Sequence, residues 1–186
     1  MIVNIIVAYC KNNGIGKNNT LLWNIKEDMA KFKRLTIGNK NNAVIMGRKT
    51  YESLNKIDGL ANRDNLILSK SLQINKTNTK NIVQTFESLQ NLETFVRSKN
   101  YDEVWIIGGE EIYKLFLNNH NVKNTIFTIN EIIITYIEKE FVCTSYFPNL
   151  EEYTKHYNLY FYSKNIVKIK DTNIDYNIYD IVYKFL

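Results

Sequence analysis

Proline, cysteine and glycine are scarce in this sequence of 186 residues, which contains one, two and seven of them, respectively. Cys10 and Cys143 are too few and too far apart for a disulfide framework or a metal-site spacing, so we expect free thiols and no bound metal. No run approaches the roughly 18 apolar residues that span a bilayer. The first residues, MIVNIIVAYCKNN, lack a basic lead and a cleavage site, so we expect a cytoplasmic protein with no membrane role.

Clustered charge and low-complexity segments are also lacking. The net charge of +5 is moderate and the lysines are scattered, which argues against a tail that binds polyanions but leaves anionic small molecules as partners. No linker rich in proline, glycine or serine and no internal repeat divides the sequence. With 45% apolar residues the chain can build one sizeable core, so residues 1–186 are predicted to form a single domain.

Apolar, β-branched runs alternate with helical patterns in the first part of the sequence. The strand-like runs are residues 2–9, 43–46, 65–68 and 104–107, and the helical patterns cover about residues 25–36, 86–98 and 110–117. This alternation predicts an α/β fold with a mainly parallel sheet. From Thr125 onward, three strand-like segments follow without helical patterns between them, which indicates antiparallel pairing at one edge of the sheet.

An aspartate in the first helical pattern is the first candidate for chemistry. Asp28 lies four residues before Phe32 and seven before Leu35, so it projects on or beside the apolar stripe. It is either an acid that only favours the positive end of the helix dipole, or a carboxylate that faces a cleft. In a cleft it could accept two parallel N–H bonds from an amidine-like ring edge and deliver a proton. Asn24 and Glu27, just before it, have the spacing of a capping box.

Two strand–glycine–helix motifs are candidates for binding phosphate groups. The motif AVIMGRKTYESL places Arg48 and Lys49 at a helix start, and VWIIGGEEIYKLF places two adjacent glycines before another helix. Helix N-termini attract anions, and glycine lets a ligand or another backbone approach closely. A solvated basic turn and a tight turn without a ligand remain the alternatives, since neither motif is the G-x-G-x-x-G fingerprint.

Taken in order, these motifs resemble the dihydrofolate reductase family. The matching segments are IIVAYCKNNGIGKNNTLLW, EDMAKFKRLT, VIMGRKTYESL, RDNLILS, VWIIGGEEIY, ITYI and YFP, and they cover most of the sequence from Ile2 to Pro148. The resemblance implies NADPH-dependent reduction of 7,8-dihydrofolate to 5,6,7,8-tetrahydrofolate, with hydride passing to pterin C6 and a proton to N5. It also implies an eight-stranded, mostly parallel mixed sheet with flanking helices and an antiparallel C-terminal edge, and antifolates such as methotrexate as ligands.

The resemblance also assigns catalytic and substrate-binding residues. Asp28 would bind the pterin N3 and 2-amino group and help N5 gain a proton, Trp23 would order water beside it, and Thr135 would hold its carboxylate. Thr135 is preferred to Thr128 because its distance to the YFP segment fits the family spacing. Arg63 would bind the α-carboxylate of the substrate's glutamate, for which a bidentate guanidinium is suited. The other positions implied to contact the substrate are Ile6, Ala8, Phe32, Leu54, Ile107 and Tyr113.

The same resemblance implies an NADPH site. Arg48, Lys49, Ser69 and Lys70 fall where the family binds the adenosine 2′-phosphate, and the Gly108–Gly109 peptide is expected to be cis. The full set of implied cofactor residues is Ala8, Ile15, Gly16, Gly47, Arg48, Lys49, Thr50, Leu68, Ser69, Lys70, Gly108, Gly109, Glu110, Glu111, Ile112 and Tyr113.

The sequence departs from the family in and beside the loop that corresponds to its active-site loop, around Lys17–Leu22. Leu22 and Lys26 replace common prolines, and Thr144 stands where an aspartate often bonds the loop, so we predict a weaker closed state of the loop. Two alternative functions remain at this stage: a reductase of the same fold that acts on another pterin or pyrimidine, and a non-catalytic nucleotide- or RNA-binding relative. Some family members are fused to thymidylate synthase, which makes that enzyme a candidate partner.

Overall fold

The computed structural model describes residues 1–78, 81–120, 122–156, 158–171 and 173–185. Eleven strands and five helices occur within these ranges. In chain order they are β1 (Ile2–Cys10), β2 (Gly14–Gly16), α1 (Lys26–Ile37), β3 (Ala43–Gly47), α2 (Arg48–Ser53), β4 (Asp64–Leu68), β5 (Asn75–Thr77), β6 (Ile82–Phe86), α3 (Leu89–Arg97), β7 (Glu103–Ile106), α4 (Glu110–Asn119), β8 (Ile129–Ile137), β9 (Ser145–Tyr146), α5 (Leu150–His156), β10 (Leu159–Ile166) and β11 (Ile178–Phe185).

Nine of these strands form one mixed sheet in the order β10-β11-β8-β1-β7-β3-β4-β6-β5, and β2 pairs with β9 in a small second sheet. The six strands from β8 to β6 run parallel to one another, whereas β10 and β11 pair antiparallel at one edge and β5 does so at the other. The predicted α/β fold with an antiparallel C-terminal edge is confirmed. The described residues contain one more strand in the sheet than predicted, because three exposed residues, Asn75–Thr77, pair with β6.

The sheet is covered on both faces, which explains the continuous apolar runs of its central strands. Successive side chains of a strand point to opposite faces, so Val3 and Ile5 of β1 pack in one cluster with α3 and α4. Ile6 of the same strand packs in the opposite cluster, together with Trp105 of β7 and residues of α1 and α2. The face that carries Ile6 and α1 is the one on which the site is built.

Helix α1 begins one residue later than a capping box would require. Ile25 is its N-cap residue and has an extended backbone, with no side-chain cap hydrogen bond. The predicted role of Asn24 as the cap is therefore wrong, and the Glu27 carboxylate instead accepts a hydrogen bond from the Lys170 backbone N–H at 3.1 Å. At its other end α1 stops at Gly38, whose positive φ of 50° allows its N–H to bond Arg34 O.

The second half of the chain contains a helix where none was predicted. Helix α5 lies between β9 and β10. Its Leu150 and Tyr153, spaced by three residues, are buried in the main core. A helix of seven residues completes only two turns, so its apolar period is too short to stand out in the sequence. Within the described residues, no helix has the length and apolar character needed to cross a membrane.

Candidate active site

The apolar part of the candidate site lies between α1, α2 and the central strands. Phe32, Leu54 and Ile107 are partly buried and pack against the cluster that contains Ile6. Ala8 follows Ile6 by two residues on β1 and therefore faces the same side of the sheet. These five predicted substrate-contacting residues come from four separate segments, and the fold gathers them along one face. Partly exposed apolar side chains of this kind are suited to contacting a flat, largely apolar ring.

Asp28 is half-buried on α1, at the same face. The Thr135 hydroxyl donates a hydrogen bond to Asp28 Oδ1 at 2.5 Å. Burial raises the pKa of the Asp28 carboxyl above its ordinary value; the hydrogen bond from Thr135 and the charge of Lys31 oppose this rise, and the charge of Asp180 adds to it. The register chosen from the sequence agrees with the structure, because Thr135 and not Thr128 meets the acid.

Two charged residues beside Asp28 were missed by the sequence analysis. Lys31 Nζ lies 2.5 Å from Thr135 Oγ1 and 2.5 Å from Asp180 Oδ1. A cavity of about 120 Å³ is lined by these three residues together with Asp28. Lys31 could have been found from the sequence, since it follows Asp28 by three residues and so lies on the same side of the helix. Asp180 could not, because nothing in the sequence of β11 shows that it pairs with β8.

Trp23 lies close to this site in the chain and is buried in a cluster with Ile25 and Ile178. Its ring packs on Phe141 at a centroid distance of 5.6 Å. Among the described residues, Trp23 Nε1 is one of two buried side-chain nitrogen atoms without a hydrogen-bond partner. A buried indole N–H ordinarily finds an acceptor, so this atom is suited to hold a water or a ligand oxygen.

Arg63 supplies the second of these unpartnered nitrogen atoms, Nε. Its guanidinium lies 5.6 Å from the centroid of the Phe32 ring, and its NH1 donates to Thr36 Oγ1 at 2.6 Å and to Lys33 O at 3.3 Å. Burial lowers the pKa of Arg63 to about 10, so the group remains a cation at neutral pH. Both of these hydrogen-bond partners are uncharged. A buried cation with a free N–H is a good site for a carboxylate.

The two glycine turns lie side by side at the ends of neighbouring parallel strands. The Gly47 N–H donates to Gly108 O at 2.8 Å, and the Gly108–Gly109 peptide is cis, as predicted. Gly108 has φ of 100°, and a Cβ there would lie 2.7 Å from the Tyr113 ring. The Tyr113 hydroxyl donates to Ile6 O at 2.9 Å, which ties this turn to β1. Glycine at position 108 therefore allows both the left-handed backbone and the close approach of the Tyr113 ring.

A group of basic residues surrounds the next turn along the sheet. Arg48 and Lys49 at the start of α2 are exposed, and so is Lys70, which follows β4. Arg48 NH1 donates to Ser71 Oγ at 3.1 Å, which joins the two turns. Because Gly47 is the register partner of Leu68, the residues that follow β3 and β4 lie next to each other. The predicted positions of the 2′-phosphate site are thus brought together.

The active-site loop and the adjoining β2 contact Thr144, the residue just before β9. Gly16 O accepts from the Thr144 N–H at 2.9 Å, and the Asn18 N–H donates to the Thr144 hydroxyl at 2.9 Å. Ile15, between Gly14 and Gly16 in β2, is partly buried against the main core. The hydroxyl at position 144 therefore makes the kind of contact for which the family often uses an aspartate, although it carries no charge.

Two of the predicted cofactor residues have other contacts. The Glu110 carboxylate accepts from Lys114 Nζ at 2.6 Å and from the Tyr146 N–H at 2.9 Å, so it holds β9 against α4. The Glu111 side chain is 87% exposed. Both residues can still contribute backbone N–H groups at the start of α4, whereas the Ile112 N–H already donates to Gly109 O at 3.0 Å. Within the described residues, no group of three or more His, Cys, Asp and Glu side chains could hold a metal ion.

The chain matches a known protein family over almost its whole length. A sequence model of the family described as "Dihydrofolate reductase" matches residues 2–183. The chain is also similar to the dihydrofolate reductase of Buchnera aphidicola subsp. Baizongia pistaciae, with 32% identity over 184 residues that cover 99% of each chain. It is 32% identical over 160 residues to the dihydrofolate reductase of Heliothis virescens, covering 83% of each chain.

A third similarity is to a longer protein. The chain is 34% identical over 155 residues to the bifunctional dihydrofolate reductase-thymidylate synthase 2 of Arabidopsis thaliana, which covers 79% of this chain and 26% of that protein. Fold, site and similarities together define an α/β enzyme of the oxidoreductase class. The chain belongs to the dihydrofolate reductase family.

Proposed function

We propose that this chain reduces 7,8-dihydrofolate to 5,6,7,8-tetrahydrofolate with NADPH, and that Asp28 is its catalytic acid. The observation that carries the proposal is the Asp28 carboxylate, which is half-buried beside an apolar surface and held by Thr135. Family membership supports the reaction, and the arrangement of side chains supports the roles of the individual residues.

Asp28 can bind and protonate the same ring. An ionised carboxylate has about four acceptor sites, and the Thr135 hydroxyl uses one of them. The rest can accept N–H bonds from N3 and the 2-amino group of a pterin, side by side. A pKa raised by burial keeps a larger fraction of this acid protonated near neutral pH, which favours delivery of a proton to N5 through a water. The buried Trp23 N–H is placed to order such a water.

Arg63 accounts for the preference for folate over a smaller pterin or pyrimidine. Its guanidinium lies over the Phe32 ring, at the apolar surface assigned to the pterin and benzoyl groups, and it retains a free N–H. The α-carboxylate of the glutamate in dihydrofolate would complete its hydrogen bonds. A smaller substrate without a carboxylate would leave this buried cation unsatisfied.

The residues around the glycine turns fit a nicotinamide dinucleotide with a 2′-phosphate. The turn at Gly108 and Gly109 leads into the N-terminus of α4, which has no side-chain cap and whose first backbone N–H groups would bind a pyrophosphate. Arg48, Lys49 and Lys70 supply exposed positive charge at adjacent turns, as a 2′-phosphate requires. When bound, NADPH supplies the hydride that reduces C6. The protein's part is to hold the pterin beside it and to keep the proton source at N5.

Several wider properties follow from the same proposal. Residues 1–186 would form a single domain, and the nine-stranded sheet supports this because it pairs β1, near the start of the sequence, and β11, near its end, with the same strand β8. Methotrexate and related antifolates would compete for Asp28. A cytoplasmic location is supported by the free thiols of Cys10 and Cys143. Thymidylate synthase is a candidate partner, because some relatives carry both activities in one chain.

The proposal is tested by following NADPH consumption with dihydrofolate on the purified protein at neutral pH, with and without methotrexate. Consumption that methotrexate abolishes is expected. A matched assay with NADH should give much slower turnover, because the basic group would have no 2′-phosphate to bind. NADPH binding without any reduction of dihydrofolate would overturn the assignment of substrate, and salt-sensitive binding of RNA in its place would indicate a non-catalytic relative.

A further inference from the structure

Lys31 and Asp180 form an ion pair directly behind the catalytic acid. Lys31 Nζ lies 2.5 Å from Asp180 Oδ1 and 2.5 Å from Thr135 Oγ1, and Thr135 in turn donates to Asp28. The Lys31 side chain is only 12% exposed, whereas that of Asp180 is 40% exposed. Four side chains from α1, β8 and β11 thus form a continuous hydrogen-bonded chain from a partly exposed carboxylate to the acid.

We propose that Lys31 and Asp180 are positioning residues of the reaction, which fix the direction of the Thr135 hydroxyl and set the acidity of Asp28. This inference rests on the role proposed above for Asp28. It assigns to two residues that do not contact the substrate a control over the step in which N5 gains its proton.

The direction of the hydrogen bonds follows from the chemistry of the donors. A lysine ammonium has three N–H donors and no acceptor, so the Thr135 oxygen must accept from Lys31. The single hydroxyl proton of Thr135 is then free to point at Asp28 Oδ1. A hydroxyl held in this way favours the ionised form of the acid. Without the ammonium, the hydroxyl could turn and accept a proton from Asp28 instead.

Charges of opposite sign surround Asp28, and they come from α1 and β11. Burial has the largest effect and raises the pKa of Asp28. Lys31 on α1 lowers this pKa, and Asp180 on β11 raises it. Glu27 and Arg34 of α1 line the same cavity. The Tyr113 hydroxyl of α4 is close enough for Asp28 to contribute to the raised pKa of this buried phenol, and Thr135 of β8 is uncharged. Lys31 and Asp180 are the pair in direct hydrogen-bonded series with the acid.

Single substitutions at the two positions should therefore shift the activity in opposite directions. With Asp28 as the proton source, the rate of hydride transfer should fall as the pH rises, because the proton for N5 becomes scarce. Lys31→Met removes the positive charge and leaves Asp180 unpaired, so the falling part of the profile should move to higher pH. Asp180→Asn removes the negative charge and should move it to lower pH. At a fixed pH within the falling part of the profile, Lys31→Met should transfer hydride about three- to tenfold faster than the native chain. Asp180→Asn should be slower by a similar factor.

The chain contains a matched control on the same two strands. Lys184 of β11 pairs with Glu131 of β8 at 2.9 Å, with side chains that are 29% and 24% exposed. Lys184 and Glu131 are register partners, and each lies four residues along its strand from Asp180 and Thr135, respectively. Lys184→Met removes one ammonium from the same sheet edge but does not touch Asp28, so its profile should coincide with the native one. Lys31→Arg keeps the positive charge, so this variant should retain most of the native pH profile.

The measurement is single-turnover hydride transfer against pH for these variants, with a direct titration of the Asp28 carboxyl carbon by NMR in the ligand-free protein. Opposite displacements for Lys31→Met and Asp180→Asn support the inference. Unchanged profiles, or displacements in the same direction, overturn it. If Lys31→Met does not fold, Asp180→Asn alone decides, since its side chain is partly exposed. If the native protein does not reduce dihydrofolate, the proposed function fails, while the NMR titration still decides the role of Lys31 and Asp180.

Discussion

Thr135 on β8 donates its hydroxyl proton to Asp28 on α1 at 2.5 Å, across 107 residues of sequence. Thr135 is also the register partner of Ala8 on β1 and of Asp180 on β11. Strand β8, whose Thr135 binds the Asp28 carboxylate, therefore also joins the parallel part of the sheet to its antiparallel edge. Because the sheet fixes Thr135 on both sides, the position of Asp28 depends on tertiary structure and not on α1 alone.

The first prediction concerns the acid itself. Asp28→Asn should keep the fold but lower kcat by about 10²- to 10⁴-fold at pH 7, since an amide cannot deliver the proton. The loss should shrink at low pH, where the solvent can protonate the substrate directly. The check is the pH profile of kcat together with circular dichroism. Asp58→Asn, an exposed acid elsewhere, serves as the control. Near-native turnover of Asp28→Asn at pH 7 would remove Asp28 from its role.

The same substitution should stabilise the ligand-free protein at neutral pH. Burial raises the pKa of Asp28, so the folded state binds its proton more tightly than the unfolded state does. The stability that this group contributes is fully present below its unfolded pKa of about 3.9 and is lost as the pH rises through the folded pKa. Asp28→Asn should therefore unfold at a higher temperature than the native chain at pH 7. The difference should disappear at pH 3, and a variant that is less stable at pH 7 would contradict the sign.

Arg63 should act on binding more than on chemistry. Arg63→Lys keeps the charge but loses the planar fork, so KM for dihydrofolate should rise about 10- to 100-fold with little change in kcat, as expected for lost hydrogen bonds to a charged group. The matched control is a dihydropterin substrate without the glutamate, which should react equally well with both enzymes. An equal loss with both substrates would show that Arg63 acts through the fold, for example through its bond to Thr36.

Much of this arrangement could be predicted from the sequence because the patterns are local or ordered along the chain. The buried runs of β1, β3, β4 and β7 are continuous and apolar, which is the composition of strands covered on both faces. The order of the motifs gave the resemblance, and the spacing from Thr135 to Phe147 and Pro148 gave the register of β8. These features do not require knowledge of which side chains meet in space.

The features that escaped prediction depend on contacts between distant segments. Asn24 has the residue type and spacing of a cap, but Glu27 bonds the backbone of Lys170 instead. The exposed strand Asn75–Thr77 is defined by its pairing with β6 and not by its composition. Asp180 gains its meaning only from the pairing of β11 with β8, which brings it to Lys31. Such polar contacts leave no periodic pattern in a single sequence.

Arg48 should determine the choice between NADPH and NADH. Arg48→Ala removes one of the exposed cations assigned to the 2′-phosphate, so KM for NADPH should rise about tenfold or more, the size of one charge-assisted hydrogen bond. KM for NADH, which has no such phosphate, should stay the same. Steady-state kinetics with both cofactors measures the difference. Equal increases in KM for NADPH and NADH would show that Arg48 acts through its hydrogen bond to Ser71 and the structure of the turn.

The last prediction concerns the active-site loop. Thr144 accepts the Asn18 N–H through an uncharged hydroxyl, and a carboxylate would accept it more strongly. Thr144→Asp should therefore stabilise the closed loop and Thr144→Ala should weaken it. Relaxation dispersion of the amides of residues 16–20 with cofactor bound should show exchange that increases from Asp to Thr to Ala. The backbone bond from Thr144 to Gly16 is retained in all three, which makes the side chain the only acceptor that changes. A single rigid closed loop in the native enzyme, or dispersion that is equal in all three proteins, would show that Thr144 does not limit closure.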